Sequence, residues 1–157
     1  HGSTLYVANA GDSRGVLCRR GEAVELSEDH KPQQDTERNR IERAGGWVTE
    51  AGRVNGNLNL SRSIGDLRYK ANPQLPPEAQ IITAAPDVRS FDLGPDDEFV
   101  VLACDGIWDC KSNQEVVDFV RERLRKKPPP SHSAIVEELF DEIISPNPSE
   151  TAGIGAD

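Results

Sequence analysis

The stretch FVVLACDGIWDC, Phe99 to Cys110, decides how the chain is read. Phe99 to Cys104 is a short, uncharged, apolar run, the pattern of a strand with its side chains in a core. Asp105 and Asp109 then stand four residues apart around Gly106 and Trp108. A carboxylate at the end of a buried strand costs free energy unless something compensates its charge. A divalent cation does so and keeps the acid ionised. Mg²⁺ and Mn²⁺ take oxygen ligands, and an Asp-Gly-x-x-Asp turn can present two carboxylates to such an ion. The spacing is not that of a calcium-binding helix–loop–helix, because the Asp/Asn series and the closing Glu are missing.

On the C-terminal side of this stretch the sequence predicts two helices. SNQEVVDFVRERLRKK opens with Ser112 and, three residues on, Glu115, the signature of a capping box. Val116, Val117, Val120 and Leu124 then share one face. SAIVEELFDEIIS repeats the design with Ile135, Leu139 and Ile143, joined by Val136 and Phe140. On the N-terminal side the signals are β. Leu5 to Ala8 is a short strand, a second follows the Gly11–Asp12 turn, and Arg20–Gly21 marks a hairpin. DTERNRIERAGG predicts a helix capped by Asp35 or Thr36 and stopped at Gly45. Its apolar face is thin, Ile41 and Ala44, so it is expected on the surface. Residues 47–70 predict short strands with turns at Ala51–Gly52 and Asn55–Gly56, and residues 81–93 two strands broken at Pro86. Helices with one apolar face must lie on an apolar sheet, so the fold class is α+β: a mainly antiparallel sheet with helices on one face. The sheet's other face would remain bare, which predicts a second sheet or self-association.

Composition narrows the function. The chain has 157 residues, 29% of them charged, with a formal net charge of -9. That balance opposes nucleic acid as a partner, since phosphate backbones require clustered Lys and Arg. No apolar run reaches the length of a membrane span, and no signal peptide is visible. Cys18, Cys104 and Cys110 lack the Cys-x-x-Cys spacing of a zinc site. They read as free thiols, buried as small hydrophobes, in a reducing and hence intracellular compartment. Both ends read as cut.

The carboxylates placed where strands meet loops are the candidate chemistry: Asp12, Asp66 and Asp105 next to glycine, Asp109 one turn after Asp105, and Asp157 close behind Gly153 and Gly155. A single loop aspartate more often shapes its own turn, and Asp66 is read that way. The motifs VANAGDSR, SEDHKP, RIERAGGWV, RVNGNLNLSRSIGD and VLACDGIWD occur in this order. Together they closely resemble the metal-dependent protein phosphatases, the PPM family of type 2C serine/threonine phosphatases. RVNGNLNLSR and LPPEAQ look most like its gamma-type branch.

The resemblance implies the C-terminal portion of a β-sandwich flanked by helices, a four-layer α/β/β/α fold incomplete in this chain. Residues 1–157 would be the C-terminal part of one catalytic domain, with a flap at about 30–70. It implies hydrolysis of phosphoserine and phosphothreonine in proteins by a water activated by Mn²⁺ or Mg²⁺. In the complete enzyme the resemblance implies two such ions and a weaker third: Asp105 and Asp157 match metal-ligating aspartates, Asp109 matches a carboxylate of the weaker third site, and Asp12 contributes either there or one step behind the ligands. Arg62 and Asp66 are expected to hold the flap base, and His30 to be a loop residue. No residue here matches the family's N-terminal Glu-Asp pair, bridging Asp-Gly, phosphate-binding arginine or general-acid histidine, so this chain alone is expected to be nearly inactive. The alternative is a non-catalytic pseudophosphatase or regulatory binding module of the same fold. Phosphorylated proteins are the implied partners, in cytoplasm or nucleus.

Overall fold

The computed structural model describes residues 3–144, so Asp157 and the tail before it lie outside the described residues. The elements are β1 (Thr4–Asn9), β2 (Arg14–Arg19), β3 (Glu22–Glu25), α1 (Asp35–Arg43), β4 (Asp87–Asp92), β5 (Asp97–Ala103), α2 (Asp105–Trp108), α3 (Asn113–Leu124) and α4 (His132–Ile143). They fall into two compact units. The first takes the described residues of His1–Leu5, Arg14–Leu26 and Phe91–Asp157; the second is Tyr6–Ser13 with Ser27–Ser90.

The first unit is a three-stranded antiparallel sheet in the order β3-β2-β5. Arg20 and Gly21 both have positive φ, 54° and 87°, which closes the β2–β3 hairpin with the twist that antiparallel strands favour. The alternation of β5 puts Phe99, Val101 and Ala103 on the side that packs with Val16 and Cys18 of β2. α3 covers this side with Val116 and Val117, both fully buried, and Phe119. α4 adds Ile135 and Leu139 to the same core. Each large apolar side chain removed from water here contributes about 1.5–3 kcal/mol before chain entropy is subtracted. The capping box forms as the sequence predicts, Ser112 accepting from the Glu115 amide while Glu115 accepts from that of Ser112. On the opposite face of the sheet Leu17 is buried, whereas Leu102 is 75% exposed.

Two expectations fail in this unit. Val136 and Phe140 do not join the core; they are exposed, because the buried stripe of α4 is the narrower one through Ile135 and Leu139. Of the cysteines only Cys18 is buried, and burial pushes its thiol pKa up; Cys104 is exposed and Cys110 half-buried. All three thiols are free.

The second unit has a small apolar core of Ile41, Val54, Tyr69 and Ile82. Gly45 ends α1 with φ 88°, as expected, but the cap residue is Gln34, one place before Asp35, and no side chain caps the helix. The turns at Gly52 and Asn55–Gly56 form, yet the strands around them shrink to isolated bridges, Val48 with Val54 and Val54 with Leu58. Between residues 81 and 93 there is one strand, β4, which pairs with β1; Thr83 makes only a bridge to Arg62. α1 is less superficial than its sequence suggests, because Glu37 is buried beside Ile41. Among the described residues no helix is long and apolar enough to cross a membrane.

Candidate functional site

β5 delivers Asp105 to the first turn of α2, with the side chain half-buried. Asp109 follows one turn later, its amide bonded to the Asp105 carbonyl at 2.7 Å, and is exposed. The turn between them is fixed from below. Ile107 and Trp108 are buried, and the Trp108 indole N–H donates to the Ala103 carbonyl at 2.8 Å. The Arg14 guanidinium lies 5.4 Å from the Trp108 ring centre and also bonds Asn113 at 2.7 Å, so β2 and α3 brace the same turn. A turn held this way has less entropy to lose when its carboxylates bind.

Asp12 lies in the second unit. Its carboxylate pairs with the Lys31 ammonium at 2.9 Å, and little of its side chain reaches solvent. Gly11, beside it, has φ 141°, a conformation that favours glycine. The adjacent loop grips Gly11 twice. The His30 amide donates to the Gly11 carbonyl at 3.0 Å, and the Gly11 amide donates to His30 Nδ1 at 3.2 Å. Since Nδ1 accepts, the ring proton sits on Nε2, which donates to Asp87 at 2.9 Å.

Asp87 also accepts from Arg62 at 2.8 Å; the bond from His30 first, and then that from Arg62, holds its carboxyl below the usual range. Arg62 further bonds Glu37 at 2.7 Å, and Arg40 bonds Glu37 at 2.6 Å. Burial by itself would push the Glu37 carboxyl up, but the bonds from Arg62 and Arg40 outweigh it and bring the pKa down to about 2. Arg62 therefore ties α1 to β4. Asp66, with φ 51°, accepts from Ser63 at 2.6 Å and shapes its own turn.

The structure thus brings Asp105 and Asp109 onto one short turn and places Asp12 in a lysine pair in the other unit. Among the described residues no group of three or more His, Cys, Asp or Glu is gathered for a metal ion. The donor set of the Asp105–Asp109 turn, hard carboxylate oxygens only, suits Mg²⁺ or Mn²⁺ in kind and is partial in number. Sequence reasoning missed His30 and Asp87. The only signal for them was the histidine of SEDHKP, and its contacts lie 19 and 57 residues away in the chain.

The first unit is α+β, and its outer strand β5 ends in a braced Asp-Gly-x-x-Asp turn. The sequence profile of the family protein phosphatase 2C matches residues 1–152, and the chain belongs to that family. It is 58% identical over 146 residues to a probable protein phosphatase of Drosophila melanogaster, covering 93% of this chain and 22% of that protein. It is 56% identical over 153 residues to protein phosphatase 2C homolog 2 of Schizosaccharomyces pombe, covering 98% and 40%. Among solved structures it is similar to a Toxoplasma gondii phosphatase, with a TM-score of 0.77, 37% identity and coverage of 88% of this chain and 43% of that one. The architecture is accordingly part of the α+β phosphatase fold, and the chain spans less than half the length of these relatives.

Proposed function

We propose that this chain is part of a protein serine/threonine phosphatase that hydrolyses phosphoserine and phosphothreonine with Mn²⁺ or Mg²⁺. The observation that carries the reading is the Asp105–Asp109 turn, held by Trp108 and Arg14 at the end of β5, in a chain of the protein phosphatase 2C family. Asp105 would hold the metal, joined by Asp157, which lies outside the described residues. Asp109 and Asp12 would serve a weaker neighbouring ion. When bound, the metal supplies a water of lowered pKa and neutralises charge on the phosphate oxygens. Trp108 and Arg14 keep Asp105 in place before binding. Residues 30–70 would form the flap beside the site.

No residue of this chain matches the family's N-terminal Glu-Asp pair, bridging Asp-Gly, phosphate-binding arginine or general-acid histidine, so the chain alone should be nearly inactive. Leu102, exposed on the sheet face opposite the helices, supports the reading that the chain by itself self-associates. The thiols support an intracellular location.

The test is phosphopeptide hydrolysis with Mn²⁺. The full-length protein should turn over, and Asp105→Asn should lower turnover by about two orders of magnitude or more, as expected when several kcal/mol of metal-assisted stabilisation are lost. An Asp105→Asn protein that keeps both its Mn²⁺ affinity and its turnover would overturn the reading. Turnover by residues 1–157 alone at the full-length rate would overturn the inactivity of the isolated chain.

A further inference from the structure

We propose that His30 is a positioning residue for Asp12, locking the Gly11–Asp12 turn and tying it to helix α1 through Asp87, Arg62 and Glu37. The proposal rests on the reading of Asp12 as a carboxylate of the weaker metal site.

His30 is 4% exposed, and a buried imidazole is costly unless its polar atoms are used. Here both ring nitrogens are used, and both backbone groups as well. Nδ1 accepts from the Gly11 amide, Nε2 donates to Asp87, the backbone amide donates to the Gly11 carbonyl, and the carbonyl accepts from Ser61 at 2.9 Å. Two of these four bonds go to Gly11. The Gly11 carbonyl takes a further bond from the Asn9 side chain at 3.0 Å, and that side chain also reaches the Glu28 carbonyl at 2.9 Å. Residues 28–31 thus hold residues 9–12 along their length, and Lys31 finishes the grip by pairing with Asp12. The placement of Asp12 is set by this neighbouring segment rather than by its own turn.

The ring is itself held. Only the tautomer with its proton on Nε2 can accept from Gly11, and the Asp87 carboxylate selects that tautomer by accepting the proton. Asp87 is fixed by Arg62, and Arg62 by Glu37 of α1. An unbroken polar chain therefore runs from α1 to the amide beside Asp12. Partners of this kind, one step removed from a metal-side carboxylate, typically change metal affinity ten- to a hundred-fold when removed.

The experiment uses Asp87→Ala, because the Asp87 side chain is 62% exposed and its loss leaves no cavity. Imidazole ¹⁵N signals, the Gly11 amide proton shift and a titration with Mn²⁺ alone, followed by broadening of the amides of residues 11–14, are recorded on the chain. Asp87→Ala should mix the two His30 tautomers, move the Gly11 amide upfield and weaken Mn²⁺ binding at this turn about ten-fold. Asp87→Asn, which keeps an acceptor oxygen, should restore most of each effect. An unchanged Gly11 amide and an unchanged Mn²⁺ titration in Asp87→Ala would overturn the proposal, as would an Asn variant no better than the Ala variant. Asp12→Ala separates the underlying reading. If it leaves the broadening untouched, the metal role of Asp12 falls, while the imidazole and amide signals still decide whether His30 sets the turn.

Discussion

The two units are built on opposite principles. The first has an apolar core, with Val16, Val116 and Val117 fully buried between a sheet and two helices. The second has four buried apolar residues in its core cluster, and it also buries Ser27, His30, Glu37, Ser61, Gln80 and Thr83. One unit is stabilised by area removed from water; the other depends on polar groups that must all be satisfied. Every buried polar side-chain atom among the described residues does find a partner. An apolar core loses stability roughly in proportion to the atoms removed, whereas a buried polar network loses it by leaving the deleted member's partners uncompensated.

The sharpest break is Glu37→Ala. It would leave the half-buried Arg40 without a carboxylate and Arg62 with that of Asp87 alone. The expected loss is about 3–5 kcal/mol, the usual cost of removing one partner of a buried pair. Hydrogen exchange at the α1 amides, measured against those of α3, reads it out. Protection of α1 equal to that of the parent chain would mean the network does not hold the second unit.

Acid tests the same residue without mutation. Glu37 has its pKa lowered from the ordinary 4.5 to about 2, so it contributes stability above pH 4.5 that is lost progressively as pH falls towards 2. The shift corresponds to about 3 kcal/mol. Protection of α1 should therefore decline through that window, and the Glu37→Ala chain should show a flatter decline. Parallel curves for the two chains would assign the acid sensitivity to other carboxylates.

This contrast also explains what the sequence made legible. The first unit could be read because its signals are local: the Arg20–Gly21 turn, the run Phe99–Cys104, and Ser112 with Glu115. The Asp105–Asp109 turn was legible for the same reason. Glu37 was not, since a glutamate on a helix with one isoleucine reads as a solvent face until Arg62, 25 residues on, reaches it. His30 was hidden likewise by partners at positions 11 and 87. Val136 and Phe140 failed for a different reason: periodicity gives the apolar side of a helix but not how much of it the neighbouring α3 covers.

Leu139→Ala probes the apolar unit. Leu139 is 4% exposed and packs in the core with α3, while Phe140, next to it on α4, is already exposed. The helix can move inward to close part of the cavity, so the loss should fall at the low end of the leucine-to-alanine range, about 2–3 kcal/mol. Chemical denaturation gives the value. A loss as large as that of Glu37→Ala would erase the distinction between the two units.

The smallest effect expected is at the start of α3. Ser112 accepts from the Glu115 amide at 3.3 Å and donates its hydroxyl to the Glu115 carboxylate at 2.7 Å. Ser112→Ala removes both bonds but leaves the Glu115 carboxylate able to accept from the residue-112 amide, now 2.8 Å away. Half of the reciprocal cap survives, and water can reach the freed groups because the site is exposed. The cost should be about 1 kcal/mol, the usual value for a lost serine cap. It should appear as faster exchange of the first-turn amides of α3, with the amides of Val116 and Val117 little changed. If these two exchange faster by as much as Glu115 does, α3 depends on its cap more than on the sheet beneath it, and the apolar core is not what secures the helix.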